Sequence, residues 1–199
     1  MVFQNDTIVL RYIQESDIDD YICWATIETE WRDWDSPWEW SRYRDINAYN
    51  NGFIEQQRFA IKMPPKFIYR DLEIDDAITG RHIGWVKSYH MDDEREKTAV
   101  GIVLPSKSDR GKGFGERALV LYMTYLFNTK NRLTDSYTET LYAETWSGNI
   151  AMIRLAGKIG FLEAERKAKR HEIKGKWYDD IIFSISKKHF FDEYKVKSK

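Results

Sequence analysis

Cysteine is nearly absent from this chain: Cys23 is the only one in 199 residues. That excludes an internal disulfide and a cysteine-based metal site, and no metal is expected. An excess of one charge is also missing. The 31 Lys and Arg are matched by 32 Asp and Glu, a formal net charge of -1. No polybasic field therefore points to nucleic acid or to a membrane surface. No apolar run approaches the roughly 20 residues needed to span a bilayer. The first residues, Met1-Val2-Phe3-Gln4-Asn5-Asp6, have neither the basic start nor the apolar stretch of a secretion signal. Repeats, low-complexity tracts and linkers rich in Gly, Ser or Pro are lacking too. A single domain over residues 1–199 is the prior at this length, with cytoplasm as the default location.

What is present is concentrated at Arg110-Gly111-Lys112-Gly113-Phe114-Gly115. The apolar run Ala99-Val100-Gly101-Ile102-Val103-Leu104 before it reads as a buried strand. After it, Ala118, Leu119, Tyr122, Tyr125 and Leu126 recur at helical spacing. A glycine-rich turn at a helix start presents unpaired backbone N–H groups, and the aligned peptide dipoles add partial positive charge. Lys107, Arg110, Lys112 and Arg117 add formal charge, so the stretch reads as a pyrophosphate cradle. The P-loop string G-x-x-x-x-G-K-S/T does not occur. The dinucleotide fingerprint G-x-G-x-x-G fails because its third glycine comes one residue early. The spacing that fits is Q/R-x-x-G-x-G/A, through Arg110, Gly113 and Gly115.

A second block runs from Asn149 to Phe161 and fits N-x-x-A/S-x-x-L/V-x-x-K/R-x-G-F, with Met152 at the small-residue position. Gly160 suits a left-handed helix C-cap there. Together the two blocks resemble the GNAT N-acetyltransferases, whose first motif binds the pyrophosphate of acetyl-CoA. Ile8-Val9-Leu10-Arg11-Tyr12, the capping-box-like pair Ser16 and Asp19, and Ile83-Gly84-Trp85-Val86 resemble the branch that acetylates ribosomal-protein N-termini. The resemblance covers nearly the whole chain, with poor matches over 28–57 and 64–78. It implies an α+β, three-layer fold with a mixed, mostly antiparallel central sheet of about 6–7 strands, splayed at the cofactor cleft and flanked by about four helices.

Read coarsely, the pattern predicts a strand near 7–13, a helix near 16–27 and one or two helices within 37–57. Strands near 58–63, 82–91 and 97–104 follow, then a helix at 113–128, a strand at 139–146 and a helix at 149–158. Strands over 161–173 and 177–188 flank the Lys174-Gly175-Lys176 turn as a hairpin. The charge run at 92–97 reads as a solvated turn, 64–78 as an inserted loop, and the tail 195–199 as frayed.

Acetyl transfer needs a placed neutral amine, a path for the ammonium proton and a donor to the developing oxyanion. The resemblance gives Ile102, Val103 and Leu104 the pantetheine arm of acetyl-CoA, Arg110, Gly111, Lys112, Gly113, Phe114 and Gly115 the pyrophosphate, and Asn149 a pantetheine-side contact. Asn149 also reads as a plain helix N-cap. The chain departs from many relatives at Ala156, where they carry tyrosine, and at Ala99 and Gly157, where they carry glutamate. For the base, Glu144 lies in an otherwise apolar strand where burial would raise its pKa. Its other reading is a paired or edge carboxylate. His90, Tyr178 and a water chain are alternatives.

The segment 28–40 is dense in tryptophan and carboxylate. Trp31, Trp34 and Trp38 form a sensible wall for a cationic amine; equally, they read as helical residues packed on a core. The enzymatic reading is acetyl transfer to a primary amine, either a small cationic amine or a protein N-terminus. The alternatives are a GNAT-fold acyl-CoA sensor or partner subunit, and a nucleotide-binding oxidoreductase resting on the glycines alone. A homodimer is left open.

Overall fold

Alternating and 3.6-residue hydrophobic patterns resolve into ten strands and seven helices in a computed structural model, which describes residues 3–40, 45–63, 71–91, 97–131 and 136–197. The strands are β1 (Phe3–Gln4), β2 (Ile8–Arg11), β3 (Asp71–Asp76), β4 (His82–His90), β5 (Thr98–Val103), β6 (Lys130–Asn131), β7 (Ser136–Tyr137), β8 (Thr140–Trp146), β9 (Leu162–Ile173) and β10 (Lys176–Ser186). The helices are α1 (Ile18–Thr26), α2 (Arg32–Asp35), α3 (Pro37–Trp40), α4 (Ile46–Lys62), α5 (Phe114–Asn128), α6 (Ile150–Ile159) and α7 (Lys187–Lys197). Eight strands form one sheet in the order β1-β2-β3-β4-β5-β8-β10-β9, while β6 and β7 pair separately. Among the described ladders only β5–β8 is parallel. The α+β class and mixed sheet are as expected; the sheet has eight strands and the described residues hold seven helices, more of each than the resemblance implied.

The chain packs as two compact units, one of residues 1–87 with 102–118 and the other of residues 88–101 with 119–199. In the first, Ile8 and Leu10 of β2, Leu72 and Ile74 of β3, and Ile83 of β4 are buried on the pleat. Helix α1 buries Ile18, Tyr21, Trp24 and Ala25, one face at helical spacing. Tyr21, Trp24, Trp31, Trp85 and Ile13 form an aromatic core, joined by Phe53, Ala60 and Ile61 of α4 and by Val103. Its rings meet at offset and edge-on angles, with Tyr21 5.3 Å and Trp24 5.7 Å from Trp85. Asp45 caps α4 by accepting from the N–H groups of Asn47 and Ala48.

In the second unit, Leu141 and Ala143 of β8 and Ile181, Phe183 and Ile185 of β10 are buried. The helix residues Leu119, Tyr122, Met123, Phe127, Ala156, Ile159 and Phe190 are buried there too. The Tyr122 hydroxyl donates to Ser88 at 2.9 Å. The β9–β10 turn is the expected hairpin: Lys174 and Gly175 have φ of 50° and 76°, and positive φ at both positions matches the right-handed twist of the strands. Strand β9 lies at the sheet edge and is exposed from residue 162 to 170.

Three expectations are corrected. Residues 58–63 are the last turns of α4, because Ala60 and Ile61 sit on the helix face that meets the aromatic core. The inserted loop at 64–78 contains β3, an inner strand paired with both β2 and β4; residues 64–70 lie outside the described part. The reciprocal cap at the first helix lies earlier than Ser16 and Asp19, with the Gln14 N–H donating to the Asp17 carboxylate at 2.8 Å. Helix α7 runs through Lys197, and residues 198 and 199 of the tail lie outside the described residues. The charged run at 92–97 falls outside the described residues except for Lys97.

Candidate functional site

In the first unit, β5 ends at Val103 and runs through Leu104 and the buried Pro105 into a 3-10 turn over Lys107–Asp109. Arg110, Gly111, Lys112 and Gly113 then lead into α5. Gly111 and Gly113 have φ of 78° and 84°, which only glycine adopts without strain. The first helical bond is donated by the Arg117 N–H to Gly113 O at 3.2 Å. The first-turn amides of Phe114 and Gly115 thus lie ahead of any intrahelical acceptor, as at every helix start. Gly111 and Lys112 are exposed. A Cβ on Gly113 would lie 2.8 Å from Arg117 Nη1, so any side chain there displaces a cation that faces the loop.

Two side-chain contacts hold this loop. Asp109 is 0 % exposed and receives the Arg81 guanidinium from the turn between β3 and β4, with Nη1 at 2.9 Å. Arg110 Nη2 donates to Pro105 O at 2.8 Å and to Glu30 Oε2 at 3.3 Å, while Ser106 Oγ donates to Glu28. Arg110 Nε is shut away from solvent with no acceptor among the described residues.

The expected pantetheine segment, Ile102, Val103 and Leu104, is half-buried. It is set by Gly84, where β4 has φ of 150° and its register with β3 shifts. A Cβ at Gly84 would lie 2.1 Å from Val103 O. The glycine is there because another backbone passes through the space a side chain needs.

Sequence reasoning missed a buried polar network in the same unit. Arg11 bridges Asp17 and Asp75, with Nη1 2.7 Å from Asp17 Oδ2 and Nη2 2.8 Å from Asp75 Oδ1. His82 places Nε2 2.9 Å from Glu73 and Nδ1 3.0 Å from Asp20, and the Tyr21 hydroxyl donates to Glu73 at 3.0 Å. Burial opposes the His82 imidazolium, but the hydrogen bond and charge of Glu73, with Asp17 behind it, outweigh burial and raise its pKa. Burial raises Glu73 as well, against the pull of His82 and Tyr21. Asp17, Asp20 and His82 bring potential metal-ligand atoms within 4.8 Å of one another. Arg11 already holds both Asp17 oxygens, which makes this an ion network.

The expected amine wall divides. Trp31 is 5 % exposed, its ring lies 5.6 Å from Trp85, and its Nε1 donates to Trp24 O at 3.0 Å. It is a core residue. Trp34 is 37 % exposed and Trp38 is half-buried.

In the second unit the β5–β8 ladder has only two registered pairs, Thr98 with Leu141 and Ala99 with Tyr142, whereas β8 stays paired with β10 through Trp146. Beyond Tyr142, β8 has no registered partner on its β5 side among the described residues. Glu144 lies in that stretch and is exposed. The burial expected there is therefore absent. Of the other base candidates, His90 is half-buried at the end of β4. The Tyr178 ring meets Trp146 edge-on at 4.9 Å. The Trp146 ring also covers Gly148, where a Cβ would fall 1.7 Å from it. Asn149 caps α6, its Oδ1 accepting from the Met152 N–H at 3.0 Å. The helix ends at Gly160 with φ of 103°, the expected left-handed cap.

The Acetyltransferase (GNAT) domain family matches residues 7–162, which include the loop, both strands of the β5–β8 ladder and all of α6. This chain belongs to the GNAT acetyltransferase family. That membership makes it an acyltransferase of the acetyl-CoA-dependent N-acetyltransferase kind. No curated protein matches its sequence. Among solved structures, a ribosomal-protein-S5-alanine acetyltransferase from Vibrio fischeri is similar, with TM-score 0.69, 18% identity and 94% of this chain aligned to 96% of that one. RimL, a ribosomal L7/L12 alpha-N-protein acetyltransferase solved with coenzyme A, gives 0.68 at 13% identity over 94% and 98% of the two chains. A spermidine N-acetyltransferase from Vibrio cholerae, solved with CoA and spermine, gives 0.68 at 17% identity over 94% and 99%. These likenesses show the GNAT fold of this member. No described helix is long and apolar enough to cross a membrane.

Proposed function

We propose that this protein transfers the acetyl group of acetyl-CoA to a primary amine by direct attack, with cofactor and acceptor bound together. The observation that carries the reading is the loop from Arg110 to Gly115. It has two left-handed glycines, an exposed lysine and a helix start of fifteen residues behind it. Such a turn suits a diphosphate, which takes main-chain N–H groups at close range. Gly111, Gly113, Phe114 and Gly115 supply those amides, and Arg110 and Lys112 supply charge. Ile102, Val103 and Leu104 offer backbone groups to the pantetheine arm. The family resemblance also gives Asn149 a pantetheine-side contact, in addition to its cap on α6.

Bound acetyl-CoA supplies a thioester that a neutral amine attacks without a covalent enzyme intermediate. The chain's part is placement, with an N–H of the β5 end facing the developing oxyanion. The proton lost by the amine goes to water or to Glu144, which is exposed. The acceptor is a small cationic amine or a protein N-terminus, and the exposed Trp34 with Trp38 lines its approach. That two relatives act on ribosomal proteins and another is a spermidine acetyltransferase supports both acceptor classes.

The test is free-thiol release from acetyl-CoA in the presence of an amine and peptide panel. Acceleration by any member supports transfer. CoA binding with no acceleration favours a second reading, an acyl-CoA sensor, which the alanine at 156 and the exposed position of Glu144 keep in contention.

A further inference from the structure

Arg110, the leading residue of the loop motif, is already engaged by an anion of the chain's own, Glu30. Its second Nη2 contact, to Pro105 O, keeps the guanidinium beside the loop, and its Nε still lacks an acceptor among the described residues. Glu30 sits in a segment anchored from within. Besides the Trp31 bond to Trp24, Arg32 Nη2 donates to Ala25 O at 3.0 Å and Asn50 Oδ1 at 2.7 Å. With backbone and neighbours fixed, Glu30 changes partner by turning its own side chain. The carboxylate is 47% exposed and the guanidinium 26%, so both reach solvent.

We propose that Arg110–Glu30 is an exchangeable ion pair that couples the cofactor to the acceptor. A diphosphate on the loop takes Arg110, and the released Glu30 carboxylate takes a cationic nitrogen of the acceptor. The proposal rests on the assignment of the loop to the CoA diphosphate.

The chemistry narrows the acceptor. An attacking amine must be neutral when it meets the thioester, so the charge Glu30 recognises belongs to a different nitrogen. The acceptor class is a diamine or polyamine, with one nitrogen deprotonated to react and another kept as an ammonium anchor. Trp34, 37% exposed on the helix that follows Glu30, adds an aromatic side chain of the kind that favours an ammonium. One pair opens and two form, so each ligand favours the other by the same factor. An exposed pair of this kind is worth about two- to five-fold in affinity.

Calorimetric titration of CoA into the whole protein, alone and with excess putrescine or butylamine, tests this. Putrescine should tighten CoA binding by about two- to five-fold, and butylamine, with no second charge, should not. Glu30→Gln should bind CoA about two- to five-fold more tightly than wild type without amine, because no internal anion competes, and should lose the putrescine effect. Glu55→Gln, an exposed carboxylate of α4 near Arg58, should behave as wild type. If CoA binds wild type without a putrescine effect, or the effect survives in Glu30→Gln, the exchange is overturned. If wild type binds no CoA, the loop assignment itself fails and the exchange fails with it.

Discussion

Gly84→Ala is a one-carbon change with an outsized expected effect. The new Cβ would lie 2.1 Å from Val103 O, 3.1 Å from Val103 C and 3.2 Å from Leu104 Cα. All three are backbone atoms, so no side-chain rotation relieves the clash, and β5 must move away by about an ångström to reach ordinary contact. Alanine must also adopt φ of 150°, which costs about 1–3 kcal/mol. Overpacking adds about 1–3 kcal/mol. The sum is a large fraction of the roughly 5–15 kcal/mol that holds a domain together. Urea unfolding should show a midpoint well below wild type. CoA titration of the folded variant should show weaker binding, because the displaced residues, Val103 and Leu104, are those assigned to the pantetheine arm. Gly157→Ala is the matched control: a helical position with nothing within 4 Å, where alanine should stabilise by about 0.5–1 kcal/mol. Equal midpoints and equal CoA affinity for Gly84→Ala and wild type would refute the close-approach argument.

Gly113→Glu or Gly115→Glu should abolish CoA binding, since each puts bulk and negative charge on the half-buried loop, and Gly113→Glu should also lower the urea midpoint because its φ of 84° strains any other residue; wild-type CoA affinity sinks the cradle. Glu144→Gln should lower kcat by less than about tenfold without changing CoA affinity, as befits an exposed carboxylate on a water path. A loss of about a hundredfold or more, with a missing limb in the pH–rate profile, would make it a true general base. For His82, the folded pKa is raised above the unfolded value of about 6.5. Its stabilisation is fully present below that value and is lost as pH rises through the folded pKa. Urea midpoints from about pH 5.5 to 8.5 should fall for wild type and stay flatter for His82→Gln; parallel curves would remove His82 as the source.

The loop and α5, the capped α6 and the β9–β10 hairpin were legible because each carries its own signal within a few residues: glycine spacing, helical apolar recurrence, a turn between long strands. Strand β3 was not. Asp71, Glu73, Asp75 and Asp76 make it look like a solvated loop, and the partners that let it lie inside the sheet are remote in sequence. Arg11 reaches Asp75 across 64 positions, and Tyr21 reaches Glu73 across 52. Phe59-Ala60-Ile61 read as a strand for a related reason: Phe59 is 62 % exposed, and only the packing of its two neighbours reveals the helix. Strand β5 itself was legible from its apolar run, but the role of Gly84 was not. A glycine whose Cβ space is filled by a distant carbonyl looks like any other in the sequence. Burial of Glu144 failed because its apolar neighbours Leu141 and Ala143 point to the other face of β8, while on its own face Tyr142 is half-buried and Trp146 buried, leaving Glu144 exposed between them.

The β9–β10 hairpin has a practical corollary. Its tip, Lys174 and Gly175, is exposed and turns with the twist of the strands, and the outer strand spends nine successive residues in water. A peptide tag or surface tether grafted there would meet solvent rather than core. Immobilised through that point, the enzyme could be assayed on a solid support without any of the residues assigned to CoA taking part in the attachment.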